Sequence, residues 1–225
     1  MKLEYLLLNV LILIGPLLLS FEKQVRFVTK WRHAFPAILI TAVPYLIWDA
    51  MVTGRHWWFN ERHTLSFRFA GLPLEECLFF VTVPFASLFI WEVIGFHFAD
   101  KNLAVMRYVR RGLYPLPLLG LLVFIVGKEY TGLMLVFTGA AAILDRILKT
   151  DLLWHRRLLT ELAIVFILIL IFNSYLTWRP VVLYDEAYQL GKCVGTIPIE
   201  DFGYGLSLIL FVLIIYEKLK MVDHA

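Results

Sequence analysis

Seven stretches of this 225-residue chain stay apolar for long enough to cross a bilayer, and no other feature limits the fold as tightly. They cover roughly 3–19, 34–51, 73–93, 113–127, 131–148, 158–177 and 197–216. The runs are continuous, whereas membrane β-strands alternate apolar and polar residues, so a helical bundle is favoured over a barrel. Hydrophobic residues make up 60% of the chain, far above soluble composition. The expected fold class is an all-α membrane protein with seven transmembrane helices. The fourth run is the shortest, and Pro115 and Pro117 interrupt it. A net charge of +3 leaves no electrostatic footprint for a nucleic-acid partner.

The runs are related to one another. Gly71-Leu72-Pro73-Leu74-Glu75-Glu76 returns as Gly195-Thr196-Ile197-Pro198-Ile199-Glu200-Asp201, and each copy opens an apolar run. At an offset of 125 residues, Pro73 maps to Pro198, Glu75 to Glu200, Leu88 to Leu213, Ile90 to Ile215 and Glu92 to Glu217. Glu76 becomes Asp201, Phe79 becomes Tyr204 and Trp91 becomes Tyr216. Spans 1 to 3 therefore map onto spans 5 to 7. Four crossings separate equivalents, so the two three-helix repeats are parallel, related by an axis along the membrane normal, with span 4 as the linker helix. The expected organisation is a first repeat over 1–98, a linker over 99–130 and a second repeat over 131–225. The same correspondence makes span 1 a retained helix rather than a cleaved signal.

Of the 21 basic residues, fourteen fall in the first, third and fifth connections and the C-terminal tail, and seven on the other side. The positive-inside rule then predicts a multi-pass protein of the inner (cytoplasmic) membrane, with its N-terminus outside and its C-terminus in the cytoplasm. Both acid doublets fall on the outer side and can face each other across a central cleft.

Carboxylates at the mouth of a span are costly. In the first turn of a helix they also favour the positive end of the macrodipole, so a single doublet fits a purely structural role. Two copies in register favour a functional site. Pro73 and Pro198 suit that first turn. Successive helical residues point about 100° apart, so Glu75 and Glu76 cannot share a face. Phe79 and Tyr204 lie one turn below Glu75 and Glu200. Asp49 closes span 2, Asn173 occupies the equivalent neighbourhood in the other half, and Asn60 corresponds to Asp185. These four either hydrogen-bond the acids or cap span ends. Trp57, Trp58 and Phe59 form an aromatic belt, line a cavity, or both. Glu92 and Glu217 lie about 25 Å down their helices and belong to the opposite face, near lysines and arginines.

The histidines, His33, His56, His63, His97, His155 and His224, have no metal-ligand spacing, and no metal site is expected. His56 and His63 are expected to be solvated at the interface rather than to donate protons. Cys77 and Cys193 read as separate thiols. There is no dinucleotide fingerprint or P-loop. Span 7 carries no internal lysine for a Schiff base, and Asp185-Glu186 is too little for a diphosphate–magnesium site.

Trp48-Asp49, Phe59-Asn60 and Leu72-Pro73-Leu74-Glu75-Glu76 with Phe79-Phe80 resemble the first-half signature of the non-flavin carotenoid lycopene cyclases. Asn173-Ser174-Tyr175-Leu176-Thr177, Arg179-Pro180-Val181-Val182 and Ile197-Pro198-Ile199-Glu200-Asp201-Phe202-Gly203-Tyr204 resemble its second half, with Ser174 where the family pattern has Thr. That family occurs as two small subunits or as one fused chain, and this sequence is similar to the fused form over nearly its whole length.

The resemblance implies cyclisation of the acyclic ψ end groups of lycopene to ionone rings, expected to be β, without net redox. It implies a carotenoid substrate drawn from the lipid phase and no cofactor, flavin included. The matching residues imply Glu75 and Glu200 as the acid/base pair, with Glu76 and Asp201 tuning them. Asp49, Asn60, Asn173 and Asp185 are candidates for adjusting these acids. Trp58, Phe79, Phe80 and Tyr204 are candidates for stabilising a carbocation, which aromatic faces do without quenching it. The competing reading is a proton-coupled transporter or receptor-like seven-helix protein. Its acids would sit nearer the membrane midplane.

Overall fold

A computed structural model describes residues 2–223, leaving His224 outside the described residues. The helices are α1 (Glu4–Leu19), α2 (Trp31–Val52), α3 (Leu74–His97), α4 (Met106–Leu113), α5 (Leu116–Ile125), α6 (Glu129–Leu148), α7 (Arg156–Trp178) and α8 (Ile199–Asp223). Tyr114 and Pro115 keep helical backbone, so α4 and α5 run on as a single fourth crossing despite the prolines. α2, α3, α4–α5, α6 and α7 are each long and apolar enough to span a membrane. α1 is apolar over 16 residues and α8 runs for 25. The chain is an all-α membrane protein with seven helical crossings and an internal repeat.

α3 and α8, which carry the acid doublets, meet at the centre. α1 packs on α3 and its equivalent α6 packs on α8. α2 and its equivalent α7 each touch both central helices, and α5 leans on α6. The flanking pair is not equal: α2 buries ten side chains and α7 only four.

Six short strands sit in the two loops above the doublets: β1 (Trp57–Phe59), β2 (Arg68–Phe69), β3 (Leu72–Pro73), β4 (Val182–Tyr184), β5 (Cys193–Val194) and β6 (Ile197–Pro198). β1 pairs antiparallel with β4 in the register Trp57↔Tyr184, Trp58↔Leu183, Phe59↔Val182. Shifted by the repeat offset, this is a strand pairing with its own reverse. The pseudo-two-fold axis passes between Trp58 and Leu183, as at an isologous interface. The flanking bonds obey the same operation: Asn60 N–H donates to Val181 O at 2.9 Å and Asp185 N–H to His56 O at 2.8 Å.

Two hairpins, β2–β3 and β5–β6, deliver the chain into α3 and α8. The first turns at Ala70 and Gly71, both at positive φ, as a two-residue I′-type turn requires; the second has positive φ only at Gly195. Pro73 and Pro198 end the strands one residue before the helices begin, a position earlier than the first helical turn expected of them. Pro73 has extended backbone and serves as the N-cap of α3.

At the far end of the bundle Glu92 binds Lys30, Lys220 Nζ at 2.8 Å and the Tyr216 hydroxyl at 2.8 Å. Glu217 accepts from Trp91 Nε1 and Lys220 Nζ, both at 2.8 Å. This repeated pair is a charge cluster distant from the doublets.

Candidate active site

Helix phase separates the two members of each doublet. Glu75 turns away from the bundle axis: it is fully buried, and its Oε1 accepts the Leu65 N–H at 2.7 Å. Glu200 is its equivalent, accepting the Leu190 N–H at 2.8 Å and the Thr131 hydroxyl at 2.6 Å. Each first acid thus fastens the loop that precedes its own hairpin. Neither lines the central cavity.

The second acids do. Glu76 and Asp201 face one cavity, and Asp49 from the last turn of α2 joins them. The Tyr5 hydroxyl donates to Glu76 at 2.5 Å, and the Glu76 and Asp49 carboxyls meet. Asp49 also accepts from Trp57 Nε1 at 2.7 Å, and its Oδ2 has no donor. Asp201 is richer in donors: Tyr130 at 2.6 Å, Tyr184 at 2.8 Å and Asn173 Nδ2 at 3.3 Å. Burial and the adjacent Asp201 push the Tyr184 hydroxyl well above its ordinary pKa, so it remains a donor.

Around the acids the wall is aromatic and aliphatic. Phe79, Phe80 and Tyr204 line it, together with Trp57 and Phe59 from β1. Among the described residues no Lys, Arg or His lines it. Among the described residues no cluster of His, Cys, Asp and Glu is arranged to hold a metal ion.

Other expected site residues lie elsewhere. Strand alternation turns Trp58 outward, where it is 41% exposed, and sends Trp57 in. Asn60 bonds the Pro180 carbonyl and the Arg62 N–H. Asp185 caps a short turn through the Ala187 N–H. Both cap loops, and neither is among the residues that line the cavity. His56 departs from the solvated position expected of it. It is buried, stacked 4.2 Å from Tyr188 and 3.1 Å from a Glu129 oxygen, and burial lowers its pKa. His63 lies 3.1 Å from a Glu4 oxygen. Cys77 and Cys193 are free, as expected.

Sequence reasoning passed over Tyr5, Tyr130 and Tyr184, which supply three of the donors to the cavity acids, and read Trp57 as belt or cavity lining but not as the donor to Asp49 that it also is. Tyr5 and Tyr130 carried a signal, since they are identical residues at the repeat offset. Tyr184 carried none, because its equivalent is Phe59.

No curated protein and no solved structure matches the chain. One family, described as lycopene cyclase, matches it twice, over residues 3–94 and again over 127–219. Each match holds one doublet and half of the paired loops, with Tyr5 in the first and both Tyr130 and Tyr184 in the second. Together they cover most of the sequence, and the chain belongs to the lycopene cyclase family, enzymes of carotenoid cyclisation.

Proposed function

We propose that this chain closes the acyclic ψ end groups of lycopene into ionone rings, β rings foremost, by acid/base catalysis at Asp49, Glu76 and Asp201. The carrying observation is that these three carboxyls share an apolar, aromatic-walled cavity without a basic side chain. Three carboxylates cannot all ionise there, so the cluster holds a proton. Asp201, with three donors, is the site best suited to stay anionic. Glu76, with one tyrosine donor and Asp49 against it, is the site best suited to keep the proton.

The Glu76–Asp49 pair gives its proton to the terminal double bond, leaving a tertiary cation. The π pair of the next double bond attacks that carbon and closes the six-membered ring, moving the positive charge into the ring. Asp201 removes a ring proton, and the C–H electrons become the ring double bond. One proton enters and one leaves, so the formula is unchanged and no redox partner is consumed. Proton return from Asp201 to the pair resets the cluster. Phe79, Phe80 and Tyr204 face the cation, and the aromatic and aliphatic lining keeps water from trapping it.

Glu75 and Glu200 are assigned to loop anchoring rather than proton transfer. We take the repeats as 1–98 and 131–225 around a 99–130 linker, an organisation supported by the two family matches. The charge bias supports an inner-membrane orientation with the acids toward the outer leaflet, where the substrate enters from lipid.

The test is expression in a membrane host that accumulates lycopene, with chromatographic identification of the carotenoids formed. Cyclised products are expected from the wild type, and E76Q should form them two to four orders of magnitude more slowly. Intact, membrane-inserted protein that leaves lycopene unchanged would overturn the proposal and favour the transporter reading.

A further inference from the structure

The repeat is symmetric in its acids and loops but not in the space beside them. The acid cavity, about 90 Å³, continues into a narrower one of about 50 Å³ between α3, α7 and α8. Phe79, Val83, Val165, Ile169, Asn173 and Ile209 line both, so the two form one slot. The narrow part is apolar save for Asn173 and Ser87, and its rim at Ile90, Leu168 and Phe172 is partly exposed on the bundle's lipid-facing side.

The equivalent place in the other half, beside α2, is filled. Three positions make the difference at the repeat offset: Ile12 becomes Phe137, Ala86 becomes Phe211, and Gly205 takes the place of Phe80. On the filled side Tyr45 packs against Phe137 at 4.7 Å, Tyr204 at 4.9 Å, Phe80 at 6.1 Å and Phe211 at 6.2 Å between ring centroids. On the open side Gly205 carries no side chain, and a Cβ added there would reach Ile169 at 3.0 Å. The loose packing of α7 belongs to the same asymmetry. The aromatic side of the molecule is core, and the aliphatic side is a channel.

We infer that the slot between α3, α7 and α8 is the single entry and seat for the polyene chain of the substrate, and that its pseudo-symmetric twin is closed. This inference rests on the proposed cyclase reading. The occupant is an apolar chain because the narrow part joins the acid cavity directly, has no charged side chain in its lining among the described residues, and leads from that cavity to the lipid face. One seat and one acid cluster mean that one end group is processed per binding event. A bicyclic product then requires release, reversal and re-entry, with the first ring outside the cavity.

Two slot-filling substitutions and a mirror control test this. Ala86→Phe copies the plug residue Phe211 into the slot, and Leu168→Trp fills its rim from α7. Val43→Trp places the same bulk at the position equivalent to Leu168 on the closed side, where Val43 faces lipid. Each is made in the wild type and in the E76Q background, and membranes are loaded with lycopene. Lycopene retained by monodisperse purified protein is read from its absorption, and turnover from product formation. A86F and L168W should retain about tenfold less lycopene than their parents and lose turnover in parallel, while V43W matches its parent. Equal retention in L168W and V43W, or loss in both, overturns the single-slot inference. L168W decides the matter should A86F not fold. Wild-type protein that retains lycopene at the slot without cyclising it defeats the cyclase reading alone. Active wild type with active, lycopene-retaining A86F and L168W defeats the slot alone.

Discussion

Tyr5 and Tyr130 stand 125 residues apart and make the same bond. Each hydroxyl donates to the second acid of a doublet 71 residues onward, Tyr5 to Glu76 at 2.5 Å and Tyr130 to Asp201 at 2.6 Å. The bonds are alike but their surroundings are not. Among the described residues Glu76 has no other hydroxyl or amide donor, whereas Asp201 keeps Tyr184 and Asn173. Y5F should therefore cut turnover about tenfold or more, and Y130F by clearly less. Both should cost about 1–3 kcal/mol of stability, from one lost bond to a carboxyl. Product formation per folded protein and thermal unfolding check this. Equal kinetic losses would refute the division of acid and base by donor count.

The two acids of a doublet should respond oppositely to amide replacement. Glu75 and Glu200 accept backbone N–H groups through Oε1, and a glutamine carbonyl can do the same. E75Q and E200Q are expected to stay within a few-fold of wild-type turnover. E75A and E200A free the loop and lower stability by about 1–3 kcal/mol. E76Q keeps the shape of the side chain and loses the proton. An E75Q enzyme as inactive as E76Q would return the chemistry to the first acids.

Much of this organisation was legible in the sequence because it is written twice. Seven apolar runs, a 125-residue offset and paired carboxyls at helix starts suffice for the bundle, its axis and the depth of the site. The rotation of α3 and α8 about their own axes was not legible. One residue of helix phase, about 100°, decides whether Glu75 or Glu76 faces inward, and the entry hairpins set it. The exchange of Trp58 for Trp57 has a similar origin, since only pairing of β1 with β4 fixes which face of the strand is covered. His56 looked solvated because it lies in an outer loop that also carries Arg55 and Arg62. It is buried by Tyr188, which lies 132 residues away in the chain.

The charge cluster at the far end should matter for folding and little for chemistry. Glu92 holds Lys30 and Lys220, and the cluster is separated from the doublet by about 25 Å of helix. E92A leaves two partly buried ammonium groups without this partner. It is expected to destabilise by about 3 kcal/mol, towards the value for breaking a buried pair. The protein that remains folded should turn over normally. Thermal unfolding in detergent, with turnover normalised to monodisperse protein, separates the two effects. A folded E92A protein with much reduced turnover would place the cluster in the reaction.

The fourth crossing reaches the site through a glycine contact. A Cβ on Gly132 would lie 2.6 Å from the Gly120 carbonyl oxygen and 2.7 Å from the Phe124 nitrogen, so α5 and α6 touch backbone to backbone. Tyr130 and Thr131, the donors to Asp201 and Glu200, immediately precede Gly132. G132A must push the helices apart and carry those donors with it. The expected cost is about 1–3 kcal/mol of stability, as for other overpacked contacts, with a fall in turnover that Y130F alone would not match. Gly112 lies in the same crossing with nothing within 4 Å of an added Cβ. G112A should be neutral or slightly stabilising, since it only reduces the freedom of the unfolded chain. Unfolding midpoints and turnover of the two variants, measured side by side, test the contact, and identical behaviour would mean that α5 does not position the second-half donors.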